Sequence, residues 1–226
     1  DSNSHSGIHL YACTSVLITN NFAGGNSSGI LVDFSYNVLV SGNVTNANRG
    51  TGVNDEHVGV GIEVTGGSSA VLVTGNTANS NDGIGINMNG EGGSVATGNM
   101  IRNNLMRSNT WAGIRLDNAD TNVIVQNEIY GGDTGILIDR PGRNNVITKN
   151  IITGSAVNFV FSYASRDTGV AQSALTRNWF GTTDEVAINA KFGDTATGFR
   201  PYRLDVVDTS AGADTTAPLP PANVTC

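Results

Sequence analysis

The chain has 226 residues, with 29 Gly, 2 Cys, 14% charged and 6% aromatic side chains, and 12 basic against 19 acidic groups for a formal charge of -7. That composition excludes coiled coils and helical bundles, which need far more Glu, Lys, Leu and Ala, and excludes disulfide-stapled scaffolds. No apolar run approaches ~18 residues and no Lys/Arg cluster is present, which argues against membrane insertion and against nucleic acid or an anionic membrane as partner.

Asp1 to Ser6 does not read as a signal peptide and runs straight into a repeat. A Gly-Ile pair recurs at Gly7-Ile8, Gly29-Ile30, Gly61-Ile62, Gly83-Ile84, Gly113-Ile114 and Gly135-Ile136, in steps of 22, 32, 22, 30 and 22 residues. The unit is therefore 22 residues, twice lengthened. Each pair opens an alternating run such as Gly-Ile-Glu-Val or Gly-Ile-Arg-Leu, the period of a half-buried strand whose Ile and next residue but one point inward. A second alternating pair follows in most units, as at Val16/Ile18, Val38/Val40, Val71/Val73 and Val123/Val125. Then comes an Asn (Asn20, Asn43, Asn76, Asn99, Asn127, Asn150) and a third strand, inward at Phe22, Ile101, Ile129 or Ile152.

Three short strands per ~22 residues, turning at Asn and Gly, predict an all-β fold: a single-stranded, right-handed parallel β-helix of about seven coils. Asn and Gly suit the corners because both tolerate a left-handed backbone, and stacked Asn amides can bond from coil to coil. A β-sandwich has no reason to keep Gly-Ile and Asn in register.

After Asn150 the pattern loosens. Asn158 to Ser162 begins a last, aromatic coil that Asn178-Trp179-Phe180-Gly181 ends, with Phe159 and Phe161 expected in the core and Trp179 packed on the coil. Thr183-Asp184-Glu185 followed by Val186 to Phe192 predicts a short helix capped by Thr183, covering the open strand edge. The N-terminal end shows no such cap. This predicts a chain that continues a longer helix, or an end shielded by a partner, including end-to-end association. Asp208 to Cys226 is rich in Pro and small polar residues and reads as a linker. The organisation is thus 1-181 coils, 182-207 cap and 208-226 linker. Cys13 and Cys226 lie at opposite ends, so no bridge between them is expected.

The Gly-Ile-x-Leu and Asn-x-Ile coils resemble those of the pectin-lyase-like superfamily over residues 7 to 181. Asn178-Trp179-Phe180-Gly181-Thr182-Thr183-Asp184 is similar to the closing segment of many secreted β-helix proteins. Asp214-Thr-Thr-Ala-Pro-Leu-Pro-Pro-Ala-Asn-Val-Thr225 resembles the entry into a fibronectin type III domain, which implies a further domain after residue 226. The superfamily resemblance implies polysaccharide lyases, hydrolases, epimerases, tailspikes or adhesins. It carries over no catalytic residue, because the Gly-His-Gly, paired Asp-Asp, Asp-Pro-His and Asp-His signatures of its enzymes are absent.

Coil geometry still groups side chains. With the second and fourth strand positions inward, the third forms an outward column, His9, Leu31, Glu63, Gly85, Arg115 and Leu137, and the fifth another, Tyr11, Asp33, Thr65, Asn87, Asp117 and Asp139. Neighbours in a column sit roughly 5 Å apart. Glu63, Asn87, Arg115, Asp117 and Asp139 therefore make a polar patch, with Asp33 further along. The two lengthened units wall it with loops, one carrying Arg49, Asp55, Glu56 and His57, the other Arg107, Asn109 and Trp111.

Two chemistries fit. Asp117 and Asp139, one coil apart, suit an acid and base pair for glycoside hydrolysis. Alternatively Glu63, Asp117, Asp139 and Asn87 hold Ca²⁺ against a uronate, with Arg115 or His57 accepting the proton in a β-elimination. Asn87, Asp33, His57, Trp111 and Arg107 then serve substrate binding, Trp111 as a stacking platform. The same Asp and Asn also suit a merely solvated surface. The reading is a secreted, extracellular or cell-surface β-helix that binds a polysaccharide along its first-strand face, with or without cleaving it as a lyase or glycoside hydrolase; the alternative is a non-catalytic surface, adhesin or structural binding module. No cofactor other than Ca²⁺ is implied.

Overall fold

The computed structural model describes residues 4–50, 59–140, 142–161, 174–182 and 184–194. The alternating runs do form strands, and every pairing between them is parallel, which buries both faces of a strand more readily than an antiparallel meander would. An eight-stranded sheet takes the Gly-Ile runs: Ser6–Tyr11, Ser28–Asp33, Val60–Thr65, Ile84–Asn89, Ala112–Asp117, Thr134–Asp139, Val157–Phe161 and finally Phe192–Asp194. A seven-stranded second sheet runs from Thr14–Thr19 to Ala174–Thr176, and a four-stranded third sheet contains Thr77–Asn79, Leu105–Arg107, Glu128–Tyr130 and Ile151–Thr153. Ala96–Thr97 and Ala119–Asp120 add a short two-stranded ladder. In sequence order the chain visits the sheets in turn, so it winds as a parallel β-helix.

One continuous apolar interior runs along the axis. Ile30, Ile62, Ile86, Ile114, Ile136 and Phe159 from the first sheet meet Val40, Val73, Ile101, Ile124 and Ile147 from the second, and Ala78, Met106, Ile129 and Ile152 from the third. All are fully buried, each contributing about 1.5–3 kcal/mol for the larger aliphatics. The repeated Gly before the inward Ile also points inward: a Cβ on Gly61 would lie 2.6 Å from the Gly85 carbonyl and 2.9 Å from Ala78 Cβ. Gly85, not Gly83, shares this setting, since its Cβ would meet the Gly113 carbonyl at 2.6 Å and Asn109 Nδ2 at 2.8 Å. Of the two overlapping Gly-Ile pairs in this strand, the second therefore sets the register.

Amide ladders line the corners. Before the third sheet, Asn43, Asn76, Asn104, Asn127, Asn150 and Asn178 stack, each side-chain oxygen accepting the backbone N–H of the equivalent residue one coil earlier at 2.8–3.1 Å. Before the first sheet Asn26, Asn48, Asn81 and Asn109 do the same. Before the second, Ser35 and Ser68 give way to Asn99, Asn122 and Asn145. Sequence reasoning merged these rows: Asn20 is exposed with φ of 56° and belongs to none of them, and Asn99 sits in the row before the second sheet. Ile101 is accordingly inward in the second sheet. Phe22, expected inward, is 73% exposed, because Ala23 takes the interior position in that coil.

The C-terminal end of the interior is closed. Phe159 stacks on Phe192 at 6.0 Å, Phe180 meets Phe192 edge-on at 5.2 Å, and a helix, Glu185–Ala190, buries Ile188 over them. Its N-cap is Asp184, one residue beyond the expected Thr183, whose carboxylate accepts from the N–H groups of Val186 and Ala187. The helix is shorter than expected, leaving Phe192 free to join the first sheet. At the other end Ile8, Leu10 and Val16, interior residues by position, are only partly buried. His57, Thr183 and residues 195–226, hence the linker, its Cys226 and most of the expected cap region, lie outside the described residues.

Candidate functional site

The outer face of the first sheet is not the wet surface its alternation predicts. Every residue of Val60–Thr65, Ile84–Asn89 and Ala112–Asp117 is buried, on both faces of the sheet. On the outside, Val60, Ile84, Ala112 and Leu137 form a second, small apolar cluster. Beside it the register sets Glu63, Asn87, Arg115 and Leu137 in one column, and Asn89, Asp117 and Asp139 in the next. Asn87 thus stands two positions from its expected place, in line with Glu63 and Arg115, and Asn89 takes the place beside Asp117. The shift follows from the second Gly-Ile pair setting the register.

Burial of charges on a sheet is tolerable only if they are paired, since an isolated ion out of water costs several kcal/mol. Here the pairing is dense. Arg115 Nη2 donates to Asp117 Oδ2 at 2.7 Å and to Asp139 Oδ2 at 2.8 Å. Arg140 Nε lies 2.8 Å from Asp117 Oδ1, and the Arg140 backbone N–H donates to Asp139 Oδ1 at 3.1 Å. The Trp111 ring lies over the Arg115 guanidinium, 4.8 Å from it, adding a cation–π contact in a desolvated setting. At the other end of the column Asn87 Nδ2 donates to Glu63 Oε1 at 3.0 Å.

The structure therefore brings together Glu63, Asn87, Arg115, Asp117, Asp139 and Trp111, and adds Arg140, which the sequence reading missed. Arg140 follows Asp139 at the corner closing the first strand, where its φ of 54° turns the chain and the alternation of the strand gives no inward or outward assignment. Asp33 lies further along the face, its carboxylate 4.0 Å from His9 Nε2. Arg107 does not join the site. It projects from the third sheet, across the corner, and stacks on Tyr130 at 5.2 Å.

This geometry changes the chemistry. Asp117 and Asp139 are bridged by one guanidinium, so the mutual repulsion that an acid and base pair relies on is compensated. The Arg115 cation lies between the two carboxylates expected to hold Ca²⁺, and among the described residues no three His, Cys, Asp or Glu side chains gather as a metal site would require. What the cluster presents to solvent is its rim: Trp111, 38% exposed, with the side chains of Asp139 and Arg140 at 24% and 49%.

Comparison with known proteins gives a consistent fold. The family described as right handed beta helix region matches residues 55–199, and the one described as periplasmic copper-binding protein (NosD) matches residues 2–58. No curated protein matches the chain. Among solved structures, the periplasmic alginate epimerase AlgG superposes with a TM-score of 0.64 at 17% identity over 88% of this chain and 46% of that one. A double mutant of the same enzyme gives a TM-score of 0.64 at 18% identity, over 84% of this chain and 45% of that one. The chain thus spans less than half the length of these structures, and at such identity the likeness establishes the right-handed, pectin-lyase-like fold.

Proposed function

The chain belongs to the right handed beta helix family, and from that premise we propose that it is a polysaccharide-binding protein working outside the cytoplasm, which holds its ligand on the exposed rim beside the buried outer face of the first sheet. The observation that carries the reading is the rim of Trp111, Asp139 and Arg140, held rigid by the buried Arg115 and Asp117 beneath it. An exposed indole offers a face for a pyranose ring, and a guanidinium and carboxylate beside it suit hydroxyl or carboxylate groups on the same sugar. Preorganised side chains lose little entropy on binding. The structural relatives that act on alginate and the match to a periplasmic family support the substrate class and the compartment.

Affinity electrophoresis and calorimetry with alginate, polygalacturonate and a neutral β-glucan test this. Retention by at least one polymer is expected, with Trp111→Ala weakening it about tenfold. No retention by any of them would overturn the reading. Binding without cleavage is favoured because both carboxylates of the pair are held by arginines. Reducing ends or unsaturated products released by the wild type and lost in Asp139→Asn would replace binding with catalysis.

A further inference from the structure

The corners that close the first-sheet strands form a second line along the helix. Its members are Ala12, Phe34, Gly66, Gly90, Asn118 and Arg140, each following the last residue of its strand. Ala12, Phe34, Gly66, Asn118 and Arg140 have positive φ, and among the described non-glycine residues with positive φ Phe34 is the aromatic one. A bulky side chain is costly there, and such strain persists where surrounding structure imposes it. At Phe34 the imposition is visible. Its ring lies against the backbone of Gly66 in the next coil, where a Cβ would stand 2.8 Å from Phe34 Cδ2 and 2.9 Å from Cε2.

Despite this fixing, Phe34 is 54% exposed, and Tyr11, one coil away, is 61% exposed. Their rings meet edge to face at 5.8 Å, and His9 meets Tyr11 the same way at 6.2 Å. His9 and Asp33, 4.0 Å apart, border the pair with polar groups. We infer that Tyr11 and Phe34 form a sugar-stacking subsite, in which a pyranose ring lies on one aromatic face and is bounded by the other ring, set at 72° to it, with its hydroxyls toward His9 and Asp33. The inference rests on the polysaccharide reading above and extends it to a second place on the same face.

The line between the two places runs over packed backbone, since Gly66 and Gly90 are both buried. From Phe34 the corner passes Gly66 and Gly90, which carry no side chain, and Asn118, whose amide is turned back onto the Gly90 and Ser94 carbonyls at 3.1 and 2.6 Å. It ends at Arg140, on the rim of the ion cluster. Four inter-strand steps, about 19 Å, separate Phe34 from Arg140, so the aromatic pair and the rim of the ion cluster are two separate places on the helix.

Calorimetry with hexasaccharides of alginate and of cellulose tests it. Phe34→Ala and Tyr11→Ala are each expected to weaken the hexasaccharide that the wild type binds by about five- to tenfold. Gly66→Ala, whose Cβ would crowd the Asp33 carboxylate as well as the Phe34 ring, displaces both without removing either and should act in the same direction, and Leu17→Ala on the second sheet should change nothing. Ala12 already occupies the equivalent corner with φ of 51°, so Phe34→Ala keeps an acceptable backbone, verified by an unchanged far-UV spectrum. Undiminished affinity in both aromatic variants, with Trp111→Ala still weakening binding, overturns the subsite and leaves the polysaccharide reading intact. A concentration-dependent wild-type mass that Phe34→Ala abolishes, with glycan affinity unchanged, assigns the aromatics to self-association and overturns it as well. If neither hexasaccharide binds the wild type, the subsite falls, and retention of the three polymers decides the polysaccharide reading separately.

Discussion

Two buried polar systems in this protein invite comparison: the asparagine rows at the corners and the ion cluster on the outer face of the first sheet. In the rows every amide does the same job. Asn104 accepts from the backbone and side-chain nitrogens of Asn76 at 2.9 and 3.0 Å and donates to the Val73 carbonyl and to Asn127 Oδ1, both at 3.0 Å. Its neighbours repeat this arrangement coil after coil. The cluster keeps no such row. Arg115 and Arg140 stand among unlike neighbours in their columns, and the adjacent Asp117 and Asp139 are joined through them; Arg115 and Asp117 are as deeply buried as the rows, with Asp139 and Arg140 at the rim. Repetition marks what holds the coils together, and departure from it marks where the coils carry something else.

The cluster should prove the more fragile of the two. Arg115→Met leaves two carboxylates facing each other in a buried setting, and breaking a buried pair from one side costs about 3–5 kcal/mol, a fall in Tm on the order of 10 °C for a chain of this size. Thermal melts followed by circular dichroism measure it. Asn104→Ala strands the Asn76 backbone N–H and the Val73 carbonyl and is expected to cost about 2–3 kcal/mol, since each buried group left without its partner contributes. If Arg115→Met proves the milder of the two, the distinction between cluster and rows fails, and the ion set is a surface ornament of the scaffold.

The same contrast explains what the sequence made legible. Gly-Ile and Asn recur because every coil must place a backbone close to its neighbour and satisfy its corner N–H groups, so fold, interior and C-terminal closure were readable from residue patterns. Assignment within the repeat was harder. Gly83-Ile84-Gly85-Ile86 offers two registers, and only the contacts around Gly85 choose between them; each coil also holds several Asn, and only neighbouring coils decide which one joins which row. The site was half readable. Glu63, Arg115, Asp117, Asp139 and Trp111 were grouped by geometry, but Arg140 and Phe34 sit at corners, where charged or bulky residues look incidental. Burial of the outer face was not readable, because alternation describes a strand and says nothing of what lies over its far side.

A third polar group, on the outer face of the third sheet, sets the mild end of the comparison. Tyr130 donates its hydroxyl to Glu128 Oε2 at 3.0 Å while Arg107 stacks on its ring. Partial burial, then the hydrogen bond and negative charge of Glu128, raise its pKa above the ordinary 10.0, and the Arg107 charge partly opposes them. The folded protein therefore keeps this proton to higher pH than the unfolded chain does. Its contribution to stability is present in full below the unfolded value and is lost as pH rises through the folded one. Ultraviolet titration of the wild type minus Tyr130→Phe should show a phenolate midpoint above 10.0. Glu128→Gln should bring that midpoint down and Arg107→Ala should carry it further up. A lower midpoint in Arg107→Ala would mean that the guanidinium acts by covering the ring rather than by its charge, and would move this pair toward the closely packed behaviour of the cluster.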